Sequence, residues 1–126
     1  MLTDLKLILA LGALILASCA TVGEREENKL VGRWRSTDRQ HTAEYAFFEN
    51  GTFNGSVTGG GALVSKFTGK WLVRDGAILY EYTADEMRRI PVGTKDRDKL
   101  LRIGRDQYII EAADGTVRKY IRVKRD

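Results

Sequence analysis

The chain has 126 residues, with 21 Lys or Arg against 17 Asp or Glu, a net charge of +4 and 43% apolar side chains. That length makes a single domain with no space for a separate catalytic module, and the apolar content excludes global disorder. One Cys excludes an internal disulfide, and one Cys with one His cannot complete a closed zinc site, so no metal or other cofactor is expected.

The first element is the uncharged run Leu7 to Ala17, with Lys6 just ahead of it. Eleven helical residues reach about 16 Å, short of the ~30 Å hydrocarbon core of a bilayer. Residues 1–18 therefore read as a signal peptide and not as a membrane-spanning helix. The run ends Leu16-Ala17-Ser18-Cys19. Small residues let the backbone lie extended in a narrow peptidase groove, and the thiol is the nucleophile for thioether formation. The four positions resemble the lipobox of bacterial lipoproteins. The resemblance implies that a peptidase reads Leu16, Ala17 and Ser18, that Cys19 carries diacylglycerol, and that its freed amino group is acylated. Several acyl chains together make a stable membrane anchor. The residue after the cysteine is Ala20 and not Asp, which resembles sorting to the outer membrane and not inner-membrane retention, so the expected location is the outer membrane facing the periplasm. A lipidated Cys19 has no thiol left for redox or catalytic work.

Residues 19–29 are polar and acidic, with Glu24, Glu26 and Glu27, and read as a tether with a helical turn over 24–29. The domain occupies 30–126. Asn50-Gly51, Asp75-Gly76 and Asp114-Gly115 are hairpin dipeptides, Gly104-Arg105-Asp106 is a slightly longer turn, and Gly59-Gly60-Gly61 breaks two hairpins. Period-two alternation between them predicts strands at 31–37, 42–49, 52–58, 63–74, 77–83, 99–103, 107–113 and 116–124. A short helix is expected over 84–89 and an optional strand at 90–93. On the last strand Val117, Ile121 and Val123 form the apolar face, while Arg118, Tyr120, Arg122 and Lys124 form a basic strip. Leu101 and Ile103 share an apolar face on the sixth strand. Strands joined by tight hairpins and apolar on one face predict an all-β, antiparallel, up-and-down barrel of about eight strands, since closure buries that face and removes exposed edges. Lys66, Lys70, Glu81 and Arg102 in mid-strand argue against a membrane-spanning barrel.

The domain opens Leu30-Val31-Gly32-Arg33-Trp34, and this Gly-x-Trp on the first strand resembles the signature of lipocalin-like barrels. Phe47 to Phe53 (Phe-x-x-x-Gly-Thr-Phe) and Gly69-Lys70-Trp71 are similar to small bacterial lipocalin-like domains. The resemblance implies that Trp34 plugs one end, that Gly32 allows close backbone approach, and that a basic residue of the last strand, Arg118 or Arg122, packs over the indole. Full lipocalins are longer than residues 30–124. An eight-strand interior either fills with side chains or holds one small ligand. Phe53, Phe67, Trp71, Tyr80 and Tyr108 are thus either core or the lining of a pocket, with Gly55, Ser65 and Gly69 leaving room.

No constellation points to an enzyme. Ser36, Asp38 and His41 lie in a polar loop with nothing to orient the imidazole. Gly59–Gly61 lacks the strand–turn–helix context and the Lys of a phosphate loop. Residues 87–126 carry twelve Lys or Arg against six acids. The expected function is that of an envelope lipoprotein binding a small apolar or amphipathic ligand without covalent chemistry. The alternative is an interaction module with a filled core whose basic C-terminal face meets anionic envelope components. The expected partners are the membrane through Cys19, such a ligand and such a surface. Nucleic acid is not among them.

Overall fold

The computed structural model describes residues 26–124, so the leader, the lipobox residues Leu16 to Cys19 and the start of the tether lie outside the described residues. A helical turn at 26–30 leads into eight strands: β1 Gly32–Thr37, β2 His41–Phe47, β3 Thr52–Gly59, β4 Ala62–Arg74, β5 Ala77–Asp85, β6 Lys95–Ile103, β7 Gln107–Glu111 and β8 Val117–Arg122. Each strand pairs antiparallel with the next, and β8 returns to β1, closing an all-β up-and-down barrel. No helix among the described residues is long and apolar enough to cross a membrane.

The hairpin chemistry explains the order. Asp75 and Gly76 both take positive φ (52° and 72°), which matches the right-handed twist of β4 and β5 in a two-residue turn. Gly60 and Gly61 (φ 58° and 80°) make a second two-residue turn, between β3 and β4, whereas the turns around Asn50 and Asp114 are longer and held by side chains. Asn50 Oδ1 accepts from the Thr52 amide at 3.0 Å, and Asp114 Oδ1 from the Thr116 amide at 2.9 Å.

Several expectations need correction. The helix over 84–89 is absent: β5 runs to Asp85, Arg88 takes a φ of 55°, and the Asp85 carboxylate accepts from the amides of Met87, Arg89 and Ile90 at 3.0 Å each. An acidic side chain that collects amides in this way organises a loop as readily as a helix start. The optional strand at 90–93 is a turn, and β6 begins at Lys95 instead of 99. A bulge between Leu100 and Arg102 also turns Leu101 out, so Leu100 and Ile103 pack against the core. The last strand is reversed relative to the expected faces. Tyr120 is 3% exposed, whereas Val117 and Ile121 are 58% and 46% exposed. Alternation defines two faces without saying which turns inward. Pairing of Tyr120 with Tyr108, and of Arg122 with Trp34, decides it.

Aromatic rings fill the barrel. Trp34 meets Tyr108 edge-on at 4.8 Å, Tyr108 stacks on Tyr120 at 4.7 Å, Phe47 lies 4.9 Å from Trp71, and Phe53 lies 5.5 Å from Tyr80. The glycines expected to leave room do not leave it empty. A Cβ on Gly55 would fall 2.7 Å from the Phe67 ring, and one on Gly69 would fall 2.6 Å from the Phe53 ring. Rings lie over both glycines, so these positions admit aromatic bulk to the core.

The helical turn closes one end. Leu30 is fully buried, and its carbonyl accepts from Trp34 Nε1 at 2.8 Å. Arg122 packs over the Trp34 ring at 4.1 Å from its centroid. Its guanidinium donates to the carbonyls of Val31 (3.0 Å), Lys29 (2.8 Å) and Arg105 (2.7 Å), in space that the missing side chain of Gly32 leaves open. Of the two arginines the resemblance left open, Arg122 makes this contact. Arg118 lies at the opposite end of β8. Arg122→Ala is expected to lower the unfolding free energy by about 3 kcal/mol, the scale of a desolvated cation–π contact plus lost hydrogen bonds to a charged donor. Arg118→Ala should cost less, about 1 kcal/mol, because Arg118 touches neither the indole nor the closed end. Urea unfolding of both variants checks the order.

Candidate functional site

The two ends of the barrel are unequal. The helical turn and the short connections at 48–51, 75–76 and 104–106 lie at the closed end, and those at 38–40, 60–61, 86–94 and 112–116 lie at the other. There the strand ends surround a depression of about 430 Å³, lined by Ser36, His41, Ala43, Val57, Arg118 and Tyr120 among others.

Below its rim sits a group of polar side chains on inward positions. Tyr45 is half-buried, 5.8 Å from Tyr120 and 6.1 Å from Tyr80 between ring centroids. Burial holds the hydroxyls of Tyr45, Tyr80 and Tyr108 well above the ordinary phenol value, and it pushes Tyr82 up to about 12. These tyrosines therefore stay neutral and serve as both donors and acceptors. The Tyr82 hydroxyl influences that of Tyr45, Tyr80 acts on the Asp98 carboxyl, and Arg118 acts on Tyr120. Burial raises the Asp98 carboxyl to about 6 and neighbouring Asp96 adds to the rise, while the Tyr80 hydroxyl and Arg118 oppose it.

Asp85 behaves in the opposite sense. Desolvation works against its charge. The Ser65 hydroxyl at 2.8 Å and the loop amides outweigh that and bring the carboxyl down to about 2. Asp85 thus ties the 86–94 connection to the rim as a permanent anion. Asp38 is also spent on its own loop, accepting from the amides of Gln40 (2.8 Å) and His41 (2.7 Å). That leaves the Ser36, Asp38 and His41 neighbourhood a turn and rim with no relay.

The five aromatics singled out in the sequence occupy the interior, each at most 7% exposed. Phe53, Trp71, Tyr80 and Tyr108 pack on one another and their neighbours, and Phe67 borders a second groove of about 430 Å³. That groove lies on the outer surface across β1–β5, over short side chains such as Ala46, Asn54, Ser56 and Thr68. The residues that sequence reasoning missed are Tyr45, Tyr82 and Asp98 at the open end. The overlooked signal for Asp98 is the alternation of acids and bases in Lys95-Asp96-Arg97-Asp98-Lys99, which is period two written in charge.

No protein-family model matches the chain, and no curated protein matches it either. Among solved structures, a lipocalin-like protein from Bacteroides uniformis superposes with a TM-score of 0.55 at 19% identity, over 75% of this chain and 99% of that one. The fold is lipocalin-like. A protein from Bacteroides thetaiotaomicron superposes at 0.58 with 15% identity, over 78% of this chain and 92% of its own. At these identities the likeness concerns the path of the chain. Within this lipocalin-like barrel, the open end gathers Ser36, His41, Arg118 and Tyr120 around the depression.

The Asp98 carboxyl gives a pH signature. Below 3.8 it is neutral whether the chain is folded or not. As pH rises toward about 6 the unfolded chain ionises first, so the folded state loses stability across that window. Asp98→Asn is expected to remove this slope and to raise stability at neutral pH by on the order of 1 kcal/mol, a figure reduced for solvent screening at a partly open site. Urea midpoints on either side of the window check it, and parallel curves for variant and parent would refute it.

Proposed function

We propose that the chain is an envelope lipoprotein whose barrel binds a small apolar or amphipathic molecule at its open end, without catalysis. The observation that carries this reading is the inequality of the two ends. One is sealed by Leu30, Trp34 and Arg122, and the other opens on a depression of about 430 Å³. That volume falls within the range of small-molecule sites. Ala43 and Val57 offer apolar contact, and Ser36, His41, Arg118 and the Tyr120 hydroxyl offer polar partners. The interior below them is full of rings, so the guest is short and sits at the rim instead of running down the barrel axis.

Native mass spectrometry of the chain purified from its host should reveal a small-molecule adduct. Ala43→Trp, which fills the rim, should reduce the adduct at least about tenfold through loss of the site, with little change in melting temperature. Repeated preparations free of any adduct, or an adduct indifferent to Ala43→Trp, would refute the pocket.

The anchor reading rests on Leu16-Ala17-Ser18-Cys19. Lipid on Cys19 would hold the barrel at the outer membrane, facing the periplasm, beside the bilayer from which apolar molecules partition. Globomycin-treated cells should accumulate the unprocessed precursor, and Cys19→Ser should release the mature barrel from membranes. Unchanged processing would remove the anchor and leave the open-end site standing.

A further inference from the structure

The outer surface of β6–β8 carries a pattern that the core does not use and that meets the open-end depression only at Val117 and Lys119. Lys95, Arg97 and Lys99 point outward on β6, alternating with inward Asp96 and Asp98, and all three are exposed. The register sets Arg102 beside Ile109 and Ile109 beside Lys119, so the cations continue across the sheet. Among them Leu101, Val117 and Ile121 stand 45%, 58% and 46% exposed. Glu81 and Glu111 lie opposite Lys95 and Lys99 and offset part of the charge. The ion pairs found among the described residues, Arg35–Glu44 and Lys66–Glu86, are elsewhere.

We propose that this face docks onto an anionic lipid bilayer, with its lysines and arginines at phosphate level and Leu101, Val117 and Ile121 in the headgroup boundary. Cations alone would suit any polyanion. Aliphatic side chains standing between them gain only where the partner offers anionic groups and an apolar layer together, and a bilayer surface does so. Nucleic acid offers no such layer: duplexes are held through their phosphates, for which exposed aliphatic side chains do nothing, and single strands by stacking on aromatic side chains. The aromatics of these strands, Tyr108 and Tyr120, are buried in the barrel. The proposal does not depend on modification of Cys19. With an acyl anchor present, the face would fix the orientation of the barrel on the surface.

The test is co-sedimentation of the full chain with phosphatidylglycerol-containing vesicles and with pure phosphatidylcholine vesicles. The apolar leader contributes to both, so the excess on anionic vesicles reads the face. That excess should be present and should fall steeply with added salt, a readout that needs no variant. Combining Arg97→Gln, Lys99→Gln and Lys119→Gln should lower partitioning onto anionic vesicles about 100-fold, from the known contribution of each cation near such a surface. Arg39→Gln, Lys66→Gln and Arg89→Gln together, with the same loss of charge at other positions, should retain the preference. Equal binding to the two vesicle types would overturn the proposal. So would equal losses in the two triple variants, or tighter retention on DNA than on anionic vesicles.

Discussion

The barrel depends on joining its first and last strands, and the backbone does little of that work. The β1–β8 ladder pairs Trp34 with Arg122 and Arg35 with Ile121, whereas β3 and β4 are paired over nearly their whole lengths. One further amide, Val123 to the Arg33 carbonyl, extends the seam slightly. The remaining strength comes from a single guanidinium. Arg122 lies flat on the indole while its three nitrogens reach carbonyls of the helical turn, its connection to β1 and the β6–β7 turn. A planar cation with donors in a fixed fork satisfies all of these at once, which a lysine ammonium cannot. Sheet closure, capping of the barrel floor and burial of Trp34 are therefore one interaction seen from three sides.

That seal determines where anything else can bind. With Leu30 and Trp34 fully buried at one end, and rings packed in contact from Trp34 through Tyr108 to Tyr120, the lower interior has no space for a guest. Polarity then rises along the axis. Phe47, Phe53 and Trp71 occupy the middle and lower layers, and the hydroxyls of Tyr45 and Tyr82 and the carboxyl of Asp98 belong to the upper one. A buried hydroxyl or carboxyl must find a partner or meet water. The gradient is thus what an opening at that end requires, and it also gives an amphipathic guest a matching direction.

Much of this was legible before any coordinates. Hairpin dipeptides and alternation from β1 to β5 locate those strands to within two residues, because each has one apolar and one polar face. The Gly32-Arg33-Trp34 resemblance correctly anticipates a basic residue over the indole, although alternation cannot separate Arg118 from Arg122. Legibility fails where both faces of a strand are polar or both are apolar. Lys95 to Asp98 reads as a loop because its inward acids look toward the wet end of the barrel, so the contrast between faces disappears. In β8, Val117 and Ile121 compete with Tyr120 for the interior, and the larger rings, already matched by Tyr108, take it. The Leu100 bulge breaks the count by one and turns Leu101 outward, which no local pattern announces. For the open end, the sequence names aromatic residues without their depth, and depth separates Trp71, which is packed, from Tyr45, which is partly open.

The strand that was hardest to read is also the least justified by stability. No residue of β6 is fully buried. It adds little apolar area to the core and brings an inward carboxylate whose charge is resisted by its surroundings. A strand needed only to complete the cylinder would be more stable with an apolar residue at position 98 and fewer like charges along its outer edge. Arg118 on β8 offsets the carboxyl across the opening, so the cost is managed by a partner two strands away and not avoided. Polar chemistry on both faces of one strand, against the preference of the fold, is the cost that the two proposed contacts would account for. The inward acids would face a guest at the open end, and the outward cations a bilayer against the wall.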